Sequence, residues 1–310
     1  MSQAAVLTHE EAVRKGKRDR KMRTFNRYLF LIPSMTLFII FFVLPLAMGL
    51  IYSFTDYNMI QPWSFCGLNN FKKLFLEDDL FIQYAIPNTL QYAVIVGPSA
   101  FFLSFFFAWI IDNLKAKKAF AMGFYIPSLC SGLAMSKIWL YFFANDRYGL
   151  INYYLLKFDI ITEPILWTTD AQYIMPVIIF VQLMMSFSTQ FLVFIAGFQN
   201  IPKDYYEAAQ IDGIKNKFQE LAYITWPQMK PQLLFGAING IVGAFGVYDI
   251  AVAIAGFPSP DYAAHTIVAH MNDYAFIRFQ MGYASAISLV LSITTFVLGR
   301  ICMRIFRDKD

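Results

Sequence analysis

The sequence predicts an all-α, polytopic membrane protein with six transmembrane helices. The chain has 310 residues, of which 58% are hydrophobic and only 15% are charged, whereas a soluble domain carries about 25% charged residues. The hydrophobic residues are gathered into six long runs, and the Lys and Arg residues are concentrated between alternate runs. These three observations exclude an ordinary water-soluble domain.

Six segments are long enough to cross a bilayer, whose hydrocarbon core of about 30 Å requires about 20 apolar residues in a helix. Only Lys137 and Asp249 place a charge inside any of them. Several segments also contain proline or glycine, which spanning helices tolerate when neighbours satisfy the freed backbone groups. We therefore expect kinked, partly broken helices around a cavity. The predicted spans are residues 29–52, 84–111, 119–143, 171–198, 233–255 and 279–299.

The distribution of positive charge predicts the orientation. Nineteen of the 25 Lys and Arg residues lie in the two termini, in the short segment after the second span and in the loop at 198–232. Five lie in the other loops, and Lys137 lies within a span. Because positive residues near span ends stay on the cytoplasmic side, both termini are predicted to be cytoplasmic.

The chain is predicted to divide into three parts. Residues 1–28 form a basic cytoplasmic tail, because the uncharged run that follows is too long for the core of a signal peptide. A basic flank is usual beside a first span, so we do not interpret this tail as a nucleic-acid-binding segment. Residues 29–83 form the first transmembrane helix and an outer loop, and residues 84–304 form the core transmembrane domain.

The inner loop at 198–232 is predicted to have local structure of its own. Asp204 and Glu207 have the spacing of a capping box, which predicts a helix start with Asp204 as the cap. Asp212 and Gly213 end that helix, because glycine accepts the left-handed conformation that a helix end requires.

A second short helix is predicted to begin near Asn216 and to stop at Trp226 and Pro227. A simple connector would not need two capped helices. The loop is therefore predicted to be a docking surface.

The order of residues in this loop resembles a known motif. The loop contains Glu207-Ala208-Ala209-Gln210-Ile211-Asp212-Gly213 and later Ile224-Thr225-Trp226-Pro227. It resembles the Glu-Ala-Ala loop of the membrane subunits of ABC importers, and the stretch from Ile201-Pro202 looks most like their sugar-importing branch. Further agreement comes from five segments: Ser53-Phe54-Thr55-Asp56-Tyr57, Gly67-Leu68-Asn69-Asn70-Phe71, Asn88-Thr89-Leu90, Tyr148-Gly149-Leu150-Ile151-Asn152 and Met281-Gly282-Tyr283-Ala284-Ser285-Ala286.

Three departures from the family's pattern are visible. The gap from Gly213 to Ile224 is one residue longer than usual, and Trp226 stands where leucine is common. Both differences could change the docking angle on an ATPase. A glycine-rich stretch after the fifth span is reduced to Gly256-Phe257-Pro258, which could change the outer gate.

The resemblance implies a type I ABC importer permease fold in a bacterial cytoplasmic membrane. It implies a second homologous permease subunit, two ATP-binding subunits, an extracytoplasmic solute-binding protein and a carbohydrate substrate, more specifically an oligosaccharide. The short helix of the motif would sit in a cleft of the ATPase. The alternative is that Glu207 only caps its own helix and the alanines only favour helicity. The coupling residues implied are Asp204, Glu207, Ala208, Ala209, Asp212, Gly213 and Pro227.

The sequence offers no chemistry for an enzyme. It lacks the Gly-x4-Gly-Lys-Ser/Thr phosphate-binding loop, so a partner must hydrolyse ATP and no cofactor is expected on this chain. His265 and His270 are five residues apart, which would put them on different faces of a helix, and no metal site is expected. Glycines at three- and four-residue steps in the fifth span predict close helix packing.

Candidate pathway residues come from the middle spans. An ionisable residue within a span is by default a functional hypothesis, so Lys137 and Asp249 are expected to face the pathway or each other, and a purely structural ion pair is the alternative. Sugars stack on rings and bond to amides, although packing or bonding between helices would explain the same residue types. The remaining candidates are Trp139, Gln182, Asn239 and Tyr248, together with Tyr92 and Gln190.

Three rival functions are distinguishable. The same machinery could carry a glycerol phosphate or a polyamine. A stand-alone secondary transporter or channel would predict internal repeats and several intramembrane charges, which this sequence does not contain. A membrane enzyme would need a cluster of His, Asp or Glu at one membrane face, whereas the acidic residues in the outer loops are scattered.

Overall fold

The computed structural model describes residues 31–130, 132–187 and 189–306. Within these ranges the chain is helical, and the only strand-like feature is an isolated antiparallel bridge between Thr55 and Phe65. The predicted tail at 1–28 lies outside the described residues. The helices are α1 (Leu31–Tyr52), α2 (Asn69–Leu76), α3 (Phe81–Asp112), α4 (Lys117–Leu129), α5 (Gly132–Phe142), α6 (Leu150–Lys157), α7 (Ala171–Met184), α8 (Thr189–Asn200), α9 (Lys203–Ile211), α10 (Lys217–Glu220, Leu221–Thr225 and Trp226–Gln228), α11 (Lys230–Phe245), α12 (Asp249–Ala255), α13 (Ile267–Asn272) and α14 (Met281–Phe306).

The six predicted spans are present as apolar helical segments. Four are long enough individually: α1, α3, the segment Ala171–Asn200 that contains α7 and α8, and α14. Two more are bent pairs, in which α4 and α5 meet at 97° and α11 and α12 meet at 41°. The expectation of broken helices is therefore confirmed, and the all-α membrane fold with it.

Three π-helical turns occur two residues before a proline. Proline has no amide hydrogen, and its ring crowds the carbonyl of the preceding turn. A widened turn relieves that crowding without ending the helix. The turns are Ile39–Val43 before Pro45, Phe81–Ala85 before Pro87 and Leu221–Thr225 before Pro227.

Spans two, four and five pack together through an aromatic core near the predicted inner end. Phe105 and Phe194 meet edge to face with ring centroids 5.6 Å apart, a favourable arrangement for aromatic pairs. Gly236 of α11 lies so close to the ring of Phe194 that a Cβ there would meet it at 2.5 Å. The predicted close packing through glycine is thus confirmed at Gly236.

Side-chain amides form hydrogen bonds to backbone carbonyls at the predicted outer end. This end is formed by residues 53–80, 143–170 and 256–280. The Asn70 amide donates to the carbonyl oxygens of Ser53 and Thr55 at 2.9 and 2.8 Å. Asn88 donates in the same way to Tyr262 and His265, at 2.9 and 3.1 Å. Two of the motifs that carry the resemblance therefore hold loops in place.

Candidate functional site

The helix α9 begins two residues before the predicted place. Its N-cap is Pro202, with φ −59° and ψ 139°, and no side chain caps the helix. Asp204 is therefore the second residue inside the helix, and the predicted capping box with Glu207 is wrong. The earlier start is explained by Pro202. The fixed φ of proline fits the extended conformation of the residue that immediately precedes a helix. Asp204 in the first turn still interacts favourably with the helix dipole.

The C-terminal end of α9 is as predicted. Asp212 is the C-cap, and Gly213 has φ +92°, a conformation that side chains other than glycine rarely adopt. The Gly213 amide donates to the Gln210 carbonyl at 3.2 Å, and the Ile214 amide donates to the Ala209 carbonyl at 3.0 Å. These two bonds form a Schellman motif, which turns the chain sharply away from the helix.

The second helix, α10, begins as predicted and ends later. The Asn216 side chain accepts from the Gln219 amide at 2.8 Å, and Gln219 Oε1 accepts from the Lys215 amide at 3.0 Å. The predicted stop at Trp226 and Pro227 is wrong, because the helix continues to Gln228 through its π-helical turn.

Side-chain contacts connect α9 to α10, and α10 in turn to span two. The Tyr206 hydroxyl lies 3.0 Å from the Thr225 hydroxyl, joining α9 to α10. The Trp226 ring packs edge to face on Phe105 of span two, with centroids 5.1 Å apart. The Phe218 ring also packs against the ring of Trp109, in the same span, with centroids 5.3 Å apart. A displacement of α9 would therefore move the inner end of span two.

The free face of α9 is small and partly apolar. Glu207 and Ala208 are exposed, whereas Ala209 is buried and faces the loop. Ile211 is 87% exposed, an unusual position for a large apolar side chain at the end of a helix. Within the described part of the chain, Glu207 forms no ion pair. This face has the properties of a docking surface.

Two adjoining cavities of about 270 and 240 Å³ have polar side chains in their walls, and we call them the two polar cavities. The larger lies between spans two, four and five, and the smaller is also lined by Gly132 and Ser136 of span three. They share Tyr92, Gln182 and Gly243 as walls. A Cβ at Gly243 would have no neighbour within 4 Å, so this glycine leaves open space. The larger cavity also has Gln190 and Asn239 in its wall, and the smaller has Tyr248 and Asp249.

The larger cavity offers hydrogen-bonding groups to a ligand. The Nε2 atom of Gln190 is buried and has no partner among the described residues. Such an unsatisfied donor costs about 1–3 kcal/mol, so a ligand hydroxyl that accepts from it would bind favourably. Asn239 Nδ2 donates to the Phe235 carbonyl at 2.9 Å, which leaves its amide oxygen as an acceptor.

Two predicted pathway residues stand apart from this group. Lys137 is exposed on α5 and lines none of the described cavities. No ion pair between Lys137 and Asp249 occurs in the described ranges, so the ion-pair alternative is wrong. Trp139 lines a separate apolar cavity of about 550 Å³, beside Phe124 and Phe187.

A buried polar cluster at the predicted outer end was missed by sequence reasoning. His265 Nε2 lies 2.9 Å from His270 Nδ1, and His270 Nε2 lies 3.0 Å from Asp78 Oδ2. The Tyr283 hydroxyl donates to the same carboxylate oxygen at 2.7 Å. His265 and His270 meet although they are five residues apart, because His265 precedes Thr266, the N-cap of α13, and helical spacing does not apply to it. In the described ranges no group of three or more His, Cys, Asp or Glu is placed to hold a metal ion.

The environment of this cluster determines its protonation. Burial, with the neighbouring His270 charge, lowers the pKa of His265 from 6.5 to about 4. Burial by itself would raise the pKa of Asp78, but hydrogen bonds from His270 and Tyr283 hold that pKa well below its usual range. The fold therefore favours a neutral His265 and an ionised Asp78.

Acid is expected to destabilise this outer cluster. Between pH 6.5 and about 4 an unfolded His265 binds a proton and the folded one does not, so stability falls as the pH is lowered through this window. The loss from His265 alone is about 3 kcal/mol. Thermal unfolding of the detergent-solubilised chain, followed across this range, measures it. His265→Phe should flatten the profile, and an unchanged profile in that variant would contradict the assignment.

A chain with these features is a membrane-embedded transport subunit: six spans, polar cavities between them and a capped helix exposed at one end. The family model for the binding-protein-dependent transport system inner membrane component matches residues 4–308. The chain belongs to this family of ABC transporter permeases, which are not enzymes.

Curated relatives cover nearly the whole chain. A probable ABC transporter permease protein, YesP of Bacillus subtilis, is 32% identical over 299 residues, which cover 95% of this chain and 94% of the relative. The arabinooligosaccharides transport system permease AraP of the same organism is 28% identical, with 90% and 87% covered. The lactose transport system permease LacF of Rhizobium radiobacter is 29% identical, with 88% and 91% covered.

A solved structure has the same fold. It is described as a bacterial ABC transporter involved in the import of the acidic polysaccharide alginate. The superposition has a TM-score of 0.80 and 22% sequence identity, and it covers 94% of this chain and 98% of the other. The predicted type I importer permease fold is thus confirmed.

Proposed function

We propose that this chain is one of two permease subunits of an ATP-driven importer for a carbohydrate, more specifically an oligosaccharide. The observation that carries the proposal is the exposed helix α9, which Gly213 ends and the Tyr206–Thr225 contact joins to α10. A displacement of this helix by a partner outside the membrane would therefore also displace α10 and the spans that it contacts.

The partners follow from the same arrangement. Two ATP-binding subunits would dock on α9 and its counterpart in a second, homologous permease. An extracytoplasmic solute-binding protein would deliver the substrate, and a related alginate importer has been crystallised with its oligosaccharide-bound periplasmic protein. Both termini would be cytoplasmic, in a bacterial cytoplasmic membrane, because Lys and Arg are concentrated on that side. Nucleic acid is not expected as a partner.

The coupling mechanism is a rigid-body movement. Closure of the ATPase dimer on ATP would push α9 through its exposed Ile211, Ala208 and Glu207. The Tyr206–Thr225 and Trp226–Phe105 contacts would pass the displacement to span two. Spans two, four and five, packed on one aromatic core, would then rock from inward to outward opening. The substrate would move along the two polar cavities.

A carbohydrate fits the lining of these cavities. Gln182, Gln190 and Asn239 offer amides to hydroxyl groups, and Tyr92 and Tyr248 offer rings. Two of the relatives are named for arabinooligosaccharide and lactose transport. These observations favour a sugar over a glycerol phosphate or a polyamine.

Uptake assays with a substrate panel test the proposal. Cells that lack this chain should lose uptake of one labelled oligosaccharide and regain it from the parent gene. Gln190→Leu should reduce that uptake about tenfold, because one satisfied buried hydrogen bond is worth about 1–3 kcal/mol. Lys137→Met, outside the cavities, should leave it unchanged. Loss of glycerol phosphate or polyamine uptake instead would contradict the carbohydrate assignment.

A further inference from the structure

A third polar cavity, of about 240 Å³, lies behind α9 at the predicted inner end. Its walls come from the inner ends of α3 and α8, the first residue of α4, and the helices α9 and α10. We call it the basic cavity. The residues that matter for its chemistry are Trp109, Asp112, Lys117, Lys203, Lys217 and Glu220.

The charges of the basic cavity do not cancel. Lys117 Nζ pairs with Asp112 Oδ1 at 2.9 Å, and Lys217 Nζ pairs with Glu220 Oε2 at 2.6 Å. No carboxylate of the described residues lies within ion-pair distance of Lys203. Three ammonium groups therefore face two carboxylates, and the excess positive charge belongs to the exposed Lys203 of α9.

The basic cavity lies at a membrane boundary. Span two ends at Asp112, span four ends at Asn200, and span three begins at Lys117. Trp109 is in the cavity wall. Its ring packs against the ring of the exposed Phe218, with centroids 5.3 Å apart. Tryptophan concentrates at the level of lipid head groups. The cavity therefore opens where phospholipid phosphates are abundant.

We propose that the basic cavity binds the phosphate-bearing head group of an anionic phospholipid. Basic pockets between span ends attract anionic head groups, and the volume admits a phosphate with its glycerol. A zwitterionic head group would bring a second cation toward Lys203, so a lipid with net negative charge fits better. Free phosphate has the same chemistry but has no acyl chains to hold it at the boundary.

A lipid at this position would affect coupling. Its phosphate would touch Lys203 on α9, Lys117 at the start of span three and Lys217 on α10. It would thus join α9 directly to span three. This role goes beyond the proposed import function, because it concerns the lipid that the chain requires.

Lipid binding to the purified full-length chain tests the proposal without any partner subunit. The chain is exchanged into micelles that contain phosphatidylglycerol or phosphatidylcholine, and the bound lipid is counted by native mass spectrometry. Phosphatidylglycerol should be retained preferentially, and Lys203→Gln should reduce its retention about fivefold. Lys215→Gln is the matched control, since Lys215 is an exposed lysine of the same loop and does not line the cavity. Lys203→Arg should retain the lipid.

Two results would overturn the proposal. Equal losses in Lys203→Gln and Lys215→Gln would mean that the loop's overall charge, and not the cavity, attracts the lipid. Displacement of phosphatidylglycerol by excess inorganic phosphate, with phosphate binding that depends on Lys203, would make a free anion the ligand. Retention of the lipid in excess phosphate supports the head-group assignment.

Discussion

Gly213→Val is expected to reduce ATP-driven uptake at least about tenfold while the chain still inserts into the membrane. Gly213 has φ +92°, and a β-branched side chain in the left-handed region costs about 1–3 kcal/mol. The Cβ of the valine would meet no neighbouring atom, because nothing lies within 4 Å of that position. The effect therefore comes from the backbone, which would abandon the Schellman motif and redirect α9. Uptake of labelled substrate by cells with equal amounts of each variant measures it.

Gly213→Asn is the matched control for this experiment. Asparagine adopts the left-handed conformation more readily than other side chains, so this variant should retain most of the uptake although it adds more atoms than a methyl group. Equal activity of the valine variant and the parent would contradict the role assigned to the helix end.

Asn152→Leu is expected to cause the largest loss of stability of any single change considered. Asn152 is completely buried. Its Nδ2 donates to the carbonyl oxygens of Ala144, Asp146 and Ile165 at 3.0, 3.2 and 3.0 Å. Its Oδ1 accepts from the Ile165 amide at 3.2 Å and from Trp167 Nε1 at 2.9 Å. Leucine would leave these groups unpaired, at about 1–3 kcal/mol for each one that stays buried.

Asn152→Leu should destabilise the segment around Asn152 as well as the whole chain. Hydrogen exchange of the solubilised variant should increase in residues 144–167, and its thermal unfolding should begin at a lower temperature. Asn272→Ala is the control, because among the residues that the structure describes the Asn272 side chain bonds only to the Val268 carbonyl of its own helix. Comparable unfolding of the two variants would show that the five bonds of Asn152 do not act together.

The spans could be predicted from sequence because each apolar run is bounded by charges and has one physical explanation, the bilayer. The bend angles could not. Span three bends by 97° and span five by 41°, and no local signal sets such an angle. The first break follows Pro127 by a few residues, and the second lies at Gly246, which is the C-cap of α11. Packing against neighbouring spans sets the angle.

The loop at 198–232 shows the same division between local and non-local information. The helix end at Gly213 and the cap at Asn216 depend on a few adjacent residues, and both were predictable. The helix start was not, because Pro202 and Asp204 both fit a first turn and only the backbone decides between them. The continuation through Pro227 depends on the π-helical turn Leu221–Thr225, whereas a proline by itself is usually interpreted as a helix stop.

Of the predicted pathway residues, some line the same cavities and others do not, and their contact with substrate stays a prediction. Gln182, Asn239, Tyr248 and Asp249 meet at the two polar cavities, whereas residue type alone could not separate them from Lys137 and Trp139. The direction of a side chain on a spanning helix depends on how the helix is rotated against its neighbours. The buried cluster of Asp78, His265 and His270 joins residues almost two hundred positions apart. Sequence rules based on helical or motif spacing do not relate residues at such a separation.

Co-purification is the most direct test of the proposal that α9 couples this permease to an ATPase. The chain is solubilised from its native membrane and isolated together with whatever remains bound, for the parent and for a variant with Glu207→Ala and Gly213→Pro. We expect a second permease and an ATPase to accompany the parent, and the ATPase to be lost from the variant. Isolation of the parent alone, still able to move solute after reconstitution, would contradict the claim and make the chain a secondary transporter.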